Sequence, residues 1–205
     1  GEILFRTKLS ENLFEGLSPW MQKLPGGLIH VNVVGCALFA AISGSSAATV
    51  ATVGKMSIPE LRKRNYPEKI LLGSLAGSGT LGLLIPPSII LIIYGVTVQE
   101  SIAKLFIAGI IPGIMIAIIF MLYVIVWSLI NKKIMPEFYE NFSFLEKVKR
   151  SKQLIPVILL ILGVIGSIYT GIATATEAAS LGVVGALILS YFQKSLSLET
   201  FKKSL

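Results

Sequence analysis

The chain has 205 residues, of which 54% are hydrophobic and 14% are charged, and its mean hydropathy is +0.80. The core of a single soluble domain cannot bury so many apolar side chains. The composition therefore excludes an ordinary soluble protein and indicates an integral membrane protein. The net charge of +7 comes from basic residues between apolar runs, which is typical of cytoplasmic loops in membrane proteins and does not indicate binding of nucleic acid.

The first segment, residues 1–27, is amphipathic. Its apolar side chains recur at helical spacing, and a tryptophan follows them just before the first apolar run: Leu9, Leu13, Phe14, Leu17 and Trp20. The pattern predicts a helix that lies at the membrane surface. Packing of this face against a neighbouring helix explains the pattern equally well.

The next segment, residues 28–57, is apolar but interrupted by Ser43-Gly44-Ser45-Ser46. Neither arm alone reaches the about 20 residues that a spanning helix needs. The segment is either a re-entrant hairpin or one long helix, and the distribution of lysine and arginine distinguishes the two. If every apolar segment is a simple transmembrane helix, 14 lysine and arginine residues lie on one side of the membrane and 4 on the other. If this segment is a hairpin, the numbers become 17 and 1. The positive-inside rule therefore predicts a re-entrant hairpin that enters from the cytoplasm.

The third segment, residues 67–99, is long enough to span but carries helix breakers in its middle. A run of glycine, serine and threonine over residues 77–82 precedes Pro86-Pro87-Ser88. Proline lacks a backbone donor and forces the preceding residue into extended geometry. These residues predict a discontinuous transmembrane helix that restarts near Pro87 or Ser88, since proline is tolerated in the first turn of a helix.

The remaining segments predict one transmembrane helix (102–131), a cytoplasmic amphipathic arm (132–153), and two transmembrane helices with a basic C-terminal tail (154–205). The glycine pairs Gly73/Gly77 and Gly109/Gly113 are spaced for close helix packing. The fold class predicted overall is an all-α polytopic membrane protein.

Two consecutive segments interrupted by small polar residues predict a shared site at the membrane midplane. Broken backbone is tolerated there only where it is buried in protein or lines a wet cavity, as in the discontinuous helices of secondary transporters. The candidate substrate- and ion-binding residues are Ser43, Gly44, Ser45, Ser46, Gly79, Thr80, Pro86, Pro87 and Ser88. Close helix packing is the alternative explanation of these small residues.

The chemistry of the two clusters favours sodium coupling over proton coupling. Neither cluster contains a titratable side chain, whereas Na⁺ needs only oxygen ligands. The hydroxyls proposed as its ligands belong to Ser43, Ser45, Ser46 and Thr80. Helix N-termini near Ala47 and Ser88 can offset the desolvation of an anionic substrate.

Four polar residues outside the clusters are possible accessory residues of the site: Asn32, Thr174, Thr176 and Glu177. The single histidine, His30, lies beside Asn32 near the start of the first apolar run and is interpreted as a structural hydrogen-bonding residue. Glu177 lies in a turn that the charge distribution puts on the outer side, where it is either solvated or part of a polar cluster with the two threonines.

Five motifs in order resemble the large integral-membrane subunit (DctM type) of tripartite ATP-independent periplasmic (TRAP) transporters. They are LPGGL with HVNV (24–33), FAAISGSS (39–46), IPPS with YG (85–95), LFIAGIIPG (105–113) and GIATATEAA (171–179). Two departures stand out: Ala175 replaces a proline found in many members, and this chain matches only the central part of a considerably longer subunit, so that it holds about half a site.

The resemblance implies a sodium-driven, elevator-type permease built from inverted repeats, of which this chain contains one. It also implies uptake of organic acids such as C4-dicarboxylates or sialic acid, a small membrane subunit and a periplasmic binding protein as partners, and a location in the cytoplasmic (inner) membrane of a bacterium or archaeon. No cofactor other than the coupling ion Na⁺ is expected, and no enzymatic activity.

Two alternatives stay open at this point. The chain is either part of a working permease or a non-transporting fragment or scaffold. A weaker alternative is an intramembrane serine protease, because Gly44-Ser45-Ser46-Ala47 fits a loose nucleophile pattern with His30 as a base. That alternative leaves Pro86-Pro87 unexplained.

Overall fold

The computed structural model describes residues 9–136 and 140–192, which form helices joined by turns and loops, with no strand among them. The α-helices are α1 (Leu9–Met21), α2 (Ile29–Ser43), α3 (Ser46–Lys63), α4 (Glu68–Gly79), α5 (Leu81–Leu84), α6 (Ile89–Val98), α7 (Ile102–Ile130), α8 (Phe144–Ser151), α9 (Ile155–Tyr169) and α10 (Ala175–Phe192). Short 3₁₀ turns follow α7 and α8 at Lys132–Ile134 and Lys152–Leu154. The basic tail predicted at the C-terminus lies outside the described residues.

Four stretches of helix are long and apolar enough to cross a membrane: Glu68–Val98, Ile102–Ile130, Phe144–Tyr169 and Ala175–Phe192. Only 17–28% of the residues in their apolar windows are buried within the chain, as expected for helices that meet lipid or other membrane helices. The all-α polytopic membrane class predicted from the sequence is therefore confirmed. Helix α2 is apolar but shorter than these four.

Helices α2 and α3 form a helical hairpin with the tip at residues 43–46. The two helices pack side by side, with Gly35 of α2 against Val53 and Met56 of α3. Helix α3 continues to Lys63, six residues beyond the hairpin boundary predicted at residue 57. The reason is Leu61, which is fully buried in the core and keeps this last turn packed.

The third segment contains two interruptions. Helix α4 ends at Gly79, the single turn α5 follows after Thr80, and extended backbone at residues 85–88 separates α5 from α6. Ser88 is the N-cap residue of α6, and the Pro86-Pro87 peptide is cis. Residues 79–88 are called the helix break below.

Helix α7 packs against the helix break. Gly109 faces the carbonyl of Leu84, and Gly113 faces Ile85, so this pair supports close packing as predicted. The other pair differs, because no atom of the described residues lies within 4 Å of the position of a Cβ atom at Gly73. Gly77 lies against the ring of Phe120.

Helices α1 and α8 pack against each other at one end of the molecule. The Trp20 indole donates a 2.8 Å hydrogen bond to the Ser151 hydroxyl and meets the Phe144 ring edge to face. The apolar face of α1, including Leu13 and Leu17, is buried in the core. This face therefore packs within the protein, and the position of the segment at the membrane surface stays a prediction.

Candidate functional site

The hairpin tip and the helix break are in direct contact. Gly44 has φ +61°, and a Cβ atom at this position would lie 2.8 Å from the carbonyl oxygen of Pro87. The Ile89 amide donates to the carbonyl of Gly44 over 3.4 Å. Only glycine combines this left-handed conformation with so close an approach. The structure therefore brings the two predicted clusters together through their backbones.

A second contact joins the tip to α5. A Cβ atom at Gly82 would lie 2.8 Å from the amide nitrogen of Ser46 and 2.9 Å from the carbonyl carbon of Ser45. The Ser46 hydroxyl donates a 3.0 Å hydrogen bond to the carbonyl of Gly79. That carbonyl is free because α4 ends there and the Leu83 amide donates to Thr80 instead.

Ser88 replaces a backbone hydrogen bond that is missing at the proline pair. Pro87 has no N–H, so the carbonyl of Leu83 lacks its helical partner. The Ser88 hydroxyl donates to this carbonyl over 2.6 Å, and its side chain is buried. Ser46 and Ser88 thus both stabilise carbonyls that the helix break releases.

The tip itself contains a group of oxygen atoms from Ser43, Ser45 and Thr49. The Ser43 hydroxyl lies 2.9 Å from the Thr49 hydroxyl and 3.3 Å from the carbonyl of Ser45. Thr49 donates to the same carbonyl over 2.7 Å. The Ser45 hydroxyl caps α3 by accepting from the Ala48 amide. Neutral oxygen atoms of this type can bind an alkali cation as its ligands.

Thr80, the fourth hydroxyl proposed for sodium, is placed differently. Its side chain is exposed and donates to the carbonyl of Gly77, one turn back in its own helix. Of the four predicted hydroxyls, those of Ser43 and Ser45 lie within the tip, that of Ser46 faces Gly79, and that of Thr80 faces α4.

A cavity of about 240 Å³ adjoins the tip and the break. Its wall includes Ser43, Gly44, Pro87 and Ser88 at this end, and further residues from α7, α9 and α10: Phe106, Val164, Ile168, Ala175, Ala179, Gly182, Val183 and Ala186. The α9–α10 pair, which contains the GIATATEAA motif, therefore forms part of the cavity wall.

Three of the possible accessory residues lie at the start of α10 and are not among the residues that line this cavity; two of them, Thr174 and Glu177, cap the helix. The Glu177 carboxylate accepts hydrogen bonds of 2.8 Å from both the amide and the hydroxyl of Thr174. The Glu177 amide donates back to the Thr174 hydroxyl over 3.3 Å. This reciprocal pair is a capping box. Thr174, Thr176 and Glu177 are all exposed.

Asn32, the fourth possible accessory residue, lies deep in the protein but far from the tip. Its amide nitrogen donates to the carbonyl of Leu71 and to the Ser74 hydroxyl of α4. The eleven residues from Asn32 to Ser43 correspond to roughly 16 Å of helix. Asn32 thus ties the base of the hairpin to α4 while the tip meets the helix break.

His30 lies at the base of the hairpin as well. It is buried, and its Nε2 atom lies 2.8 Å from the carbonyl oxygen of Pro25. Helix α2 separates it from Ser45 by roughly 20 Å. The interpretation of His30 as a structural residue agrees with this contact, and a protease dyad with the tip serines does not.

Sequence reasoning missed several residues of this region. Thr49 completes the oxygen group of the tip, and its signal was its position four residues after Ser45, one helical turn on. Gly82 lay within the small-residue run, but nothing in the sequence marked it as the position where the tip approaches. Phe106, Val164 and Ile168 gave no signal, because an apolar side chain in a spanning helix looks the same toward a cavity or toward lipid.

Comparison with known proteins gives consistent matches along the chain. A family model described as "Tripartite ATP-independent periplasmic transporter, DctM component" matches residues 1–205. The chain is 38% identical to the C4-dicarboxylate TRAP transporter large permease protein of Pseudomonas aeruginosa, covering 94% of this chain and 44% of the relative.

Two further relatives carry other substrate names. The isethionate TRAP transporter permease protein of Oleidesulfovibrio alaskensis is 36% identical, with 94% of this chain and 30% of the relative covered. The sialic acid TRAP transporter permease protein of Haemophilus influenzae is 35% identical, with 96% and 32% covered. The chain spans less than half the length of these curated relatives.

Proposed function

Because the chain belongs to the DctM component family of tripartite ATP-independent periplasmic transporters, we propose that it forms part of a sodium-coupled permease that imports organic acids. Members of this family are transporter components and not enzymes. The function proposed here is that of the whole subunit, of which this chain supplies one hairpin and one broken helix.

The observation that carries the proposal is the contact between the hairpin tip and the helix break. Gly44 lies against Pro87, the Ser46 hydroxyl bonds the carbonyl of Gly79, and a cavity opens beside both. Discontinuous helices that meet around a cavity are the usual construction of substrate and ion sites in secondary transporters.

The oxygen group at the tip is the proposed sodium site. Ser43 and Thr49 contribute two hydroxyls, and Ser45 contributes a carbonyl oxygen, within hydrogen-bond distance of one another. Ser46 and Thr80, which the sequence also suggested, contribute only if their hydroxyls leave the carbonyls of Gly79 and Gly77. A neutral oxygen site holds Na⁺ without a titratable group, which supports sodium coupling over proton coupling.

The helix N-termini at the site supply positive potential for an anion. Helix α3 begins at Ser46 and α6 begins at Ile89, and both starts lie where the tip meets the break. The partial positive charge of a helix N-terminus attracts a carboxylate, and a bound Na⁺ strengthens this attraction. Substrate binding and sodium binding are thereby coupled in the proposed mechanism.

The family relationship supports the remaining parts of the proposal. The permease works in the cytoplasmic (inner) membrane by an elevator-type movement of the hairpin and broken helix. Its partners are a small membrane subunit and a periplasmic binding protein that delivers the substrate. C4-dicarboxylates and sialic acid are substrates named for relatives of this chain, and an organic acid is the class proposed here.

The test is uptake by the complete permease, reconstituted with its small subunit and binding protein in proteoliposomes. We expect an inward sodium gradient to drive accumulation of a labelled organic acid, whereas a potassium gradient does not. Ser43→Ala should raise the sodium concentration for half-maximal uptake. Thr97→Ala is the matched control, because the exposed Thr97 hydroxyl only contacts the carbonyl of Ile93 in its own helix.

Two results would contradict the proposal. Uptake that does not depend on sodium would exclude the coupling ion, and equal sodium dependence in the two variants would exclude the tip as its site. Absence of any transport by the complete, correctly assembled permease would instead favour the non-transporting scaffold.

A further inference from the structure

A line of polar side chains joins α2 to α4 below the hairpin tip. The Asn32 amide nitrogen donates to the carbonyl of Leu71 over 3.2 Å and to the Ser74 hydroxyl over 3.0 Å. One turn further along α4, the Ser78 hydroxyl donates to the carbonyl of Ser74 over 2.5 Å and lies 3.4 Å from the carbonyl of Asn32. Asn32, Ser74 and Ser78 are all buried, and they are called the polar seam below. Asn32 and Ser78 are 0% exposed, so no other segment of a longer permease can contact them without displacing this chain.

The polar seam ends next to the proposed sodium site. Ser78 directly precedes Gly79, the last residue of α4, whose carbonyl accepts the hydrogen bond from the Ser46 hydroxyl at the tip. Gly79 also packs directly on Val50 of α3. Ser78 therefore faces one arm of the hairpin, while Gly79 faces the other arm and the tip. A rotation or shift of α4 relative to the hairpin would turn the Gly79 carbonyl away from Ser46.

The polar seam fixes both the rotation and the register of α4 against α2. Leu71 and Leu75 of α4 are buried as well, but apolar contacts are non-directional and permit small shifts. A hydrogen bond weakens steeply when its donor and acceptor are misaligned, and inside a membrane no water replaces it. The donors and acceptors of the polar seam therefore define one relative position of the two helices.

From this arrangement we infer that Asn32, Ser74 and Ser78 are positioning residues of the sodium site, which act through α4 on the carbonyl of Gly79. The inference rests on the proposed function and deepens it. Asn32 lies roughly 16 Å from the tip along α2, so it influences the ion through α4 and not as a ligand.

The path from Gly79 to the oxygen group of the tip is short. Ser46, which Gly79 holds, directly follows Ser45 and begins α3. The carbonyl of Ser45 is the acceptor that the Ser43 and Thr49 hydroxyls share. A displaced Gly79 carbonyl releases Ser46 and loosens the Ser45 carbonyl beside it. Sodium binding then weakens although every ligand is still present.

Stability alone does not account for Asn32. Its Oδ1 atom has no hydrogen-bond partner among the described residues. A buried acceptor without a partner costs free energy, which offsets what the two hydrogen bonds of the amide nitrogen contribute. Leucine has the same branching as asparagine and no polar atoms. Asn32→Leu should therefore change thermal stability little while it removes the directional contact to α4.

The experiment measures sodium-driven uptake by the complete permease in proteoliposomes, with its small subunit and binding protein. We expect Asn32→Leu to raise the sodium concentration for half-maximal uptake about fivefold, the equivalent of one hydrogen bond. Ser74→Ala removes only the hydroxyl acceptor and should raise it about twofold. A purely structural role would instead lower the maximal rate and the melting temperature and leave this concentration unchanged. Ser18→Ala is the matched control, because the buried Ser18 hydroxyl donates to the carbonyl of Phe14 in its own helix.

A double variant tests the route through Gly79. Ser46→Ala removes the donor to the Gly79 carbonyl, so that aiming this carbonyl no longer matters. In the Ser46→Ala background, we expect Asn32→Leu to shift the sodium concentration for half-maximal uptake by less than about twofold, because coupled residues are not additive.

The outcomes separate this inference from the proposed function. Unchanged sodium dependence in both Asn32→Leu and Ser74→Ala overturns the inference and leaves sodium-coupled uptake intact, and so does an undiminished shift in the double variant. If Asn32→Leu fails to assemble, Ser74→Ala decides by the same criterion. Uptake by the unmodified permease that does not depend on sodium overturns the proposed function itself.

Discussion

The substitution Gly82→Ala should push the hairpin tip away from the helix break. A Cβ atom there would lie 2.8 Å from the amide nitrogen of Ser46 and 3.0 Å from the carbonyl oxygen of Ser45. Both are backbone atoms, so no change of rotamer relieves the contact. Because protein interiors are close-packed, the tip has to withdraw by roughly half an ångström.

The expected cost follows from overpacking and from the hydrogen bond beside it. Forcing an extra methyl group into a packed site costs about 1–3 kcal/mol. The 3.0 Å hydrogen bond from Ser46 to Gly79 adds up to about 1 kcal/mol if it is broken. The better helix propensity of alanine returns up to about 1 kcal/mol. We therefore expect Gly82→Ala to destabilise the protein by about 1–3 kcal/mol and to impair uptake.

Gly73→Ala is the matched control in the same segment. Gly73 lies inside α4, and within the described part of the chain no atom lies within 4 Å of where its Cβ would be. This variant should be as stable as the wild type or more stable by up to about 1 kcal/mol. The assays are thermal unfolding of the complete permease in detergent and sodium-driven uptake in proteoliposomes. If Gly82→Ala matches Gly73→Ala in both assays, the tip and the break do not touch as described.

Three further predictions concern the tip, the α10 cap and the topology. Ser46→Ala removes the bond to Gly79 and should raise the sodium concentration for half-maximal uptake severalfold at normal expression; an unchanged value would remove Ser46 from the mechanism. Thr174→Ala removes a helix cap and should lower stability by about 1 kcal/mol in thermal unfolding, with sodium dependence unaltered. A shift in sodium dependence would instead assign Thr174 to the ion site. In a Lys55→Cys variant, the introduced cysteine should react with an impermeant thiol reagent only when the reagent is added on the cytoplasmic side. Labelling from outside would contradict the re-entrant hairpin.

Much of the fold was predictable because the helix breakers act locally. Two successive prolines cannot continue a helix, and α5 ends at Leu84, two residues before the first of them. The Ser-Gly interruption at residues 43–46 similarly coincides with the turn between α2 and α3. Such signals depend only on backbone chemistry, so they hold in any tertiary context.

The details of the site were less predictable, because identical residue types served different purposes. Thr80 looked like a sodium ligand, but its hydroxyl bonds the carbonyl of Gly77 in its own helix. Thr49 was not among the predicted site residues and yet completes the oxygen group of the tip. Where a hydroxyl points depends on which carbonyls are left unpaired nearby, and only the folded arrangement shows that.

The sequence by itself determined the membrane class, the helical segments and the positions where they break, since hydropathy, charge and proline act over a few neighbouring residues. Only the tertiary structure decided that Gly44 meets Pro87, that Gly82 approaches Ser46, and that residues of α9 and α10 line the cavity. These contacts join residues from 36 to more than 130 positions apart. They depend on how apolar helix faces with no distinguishing pattern pack together.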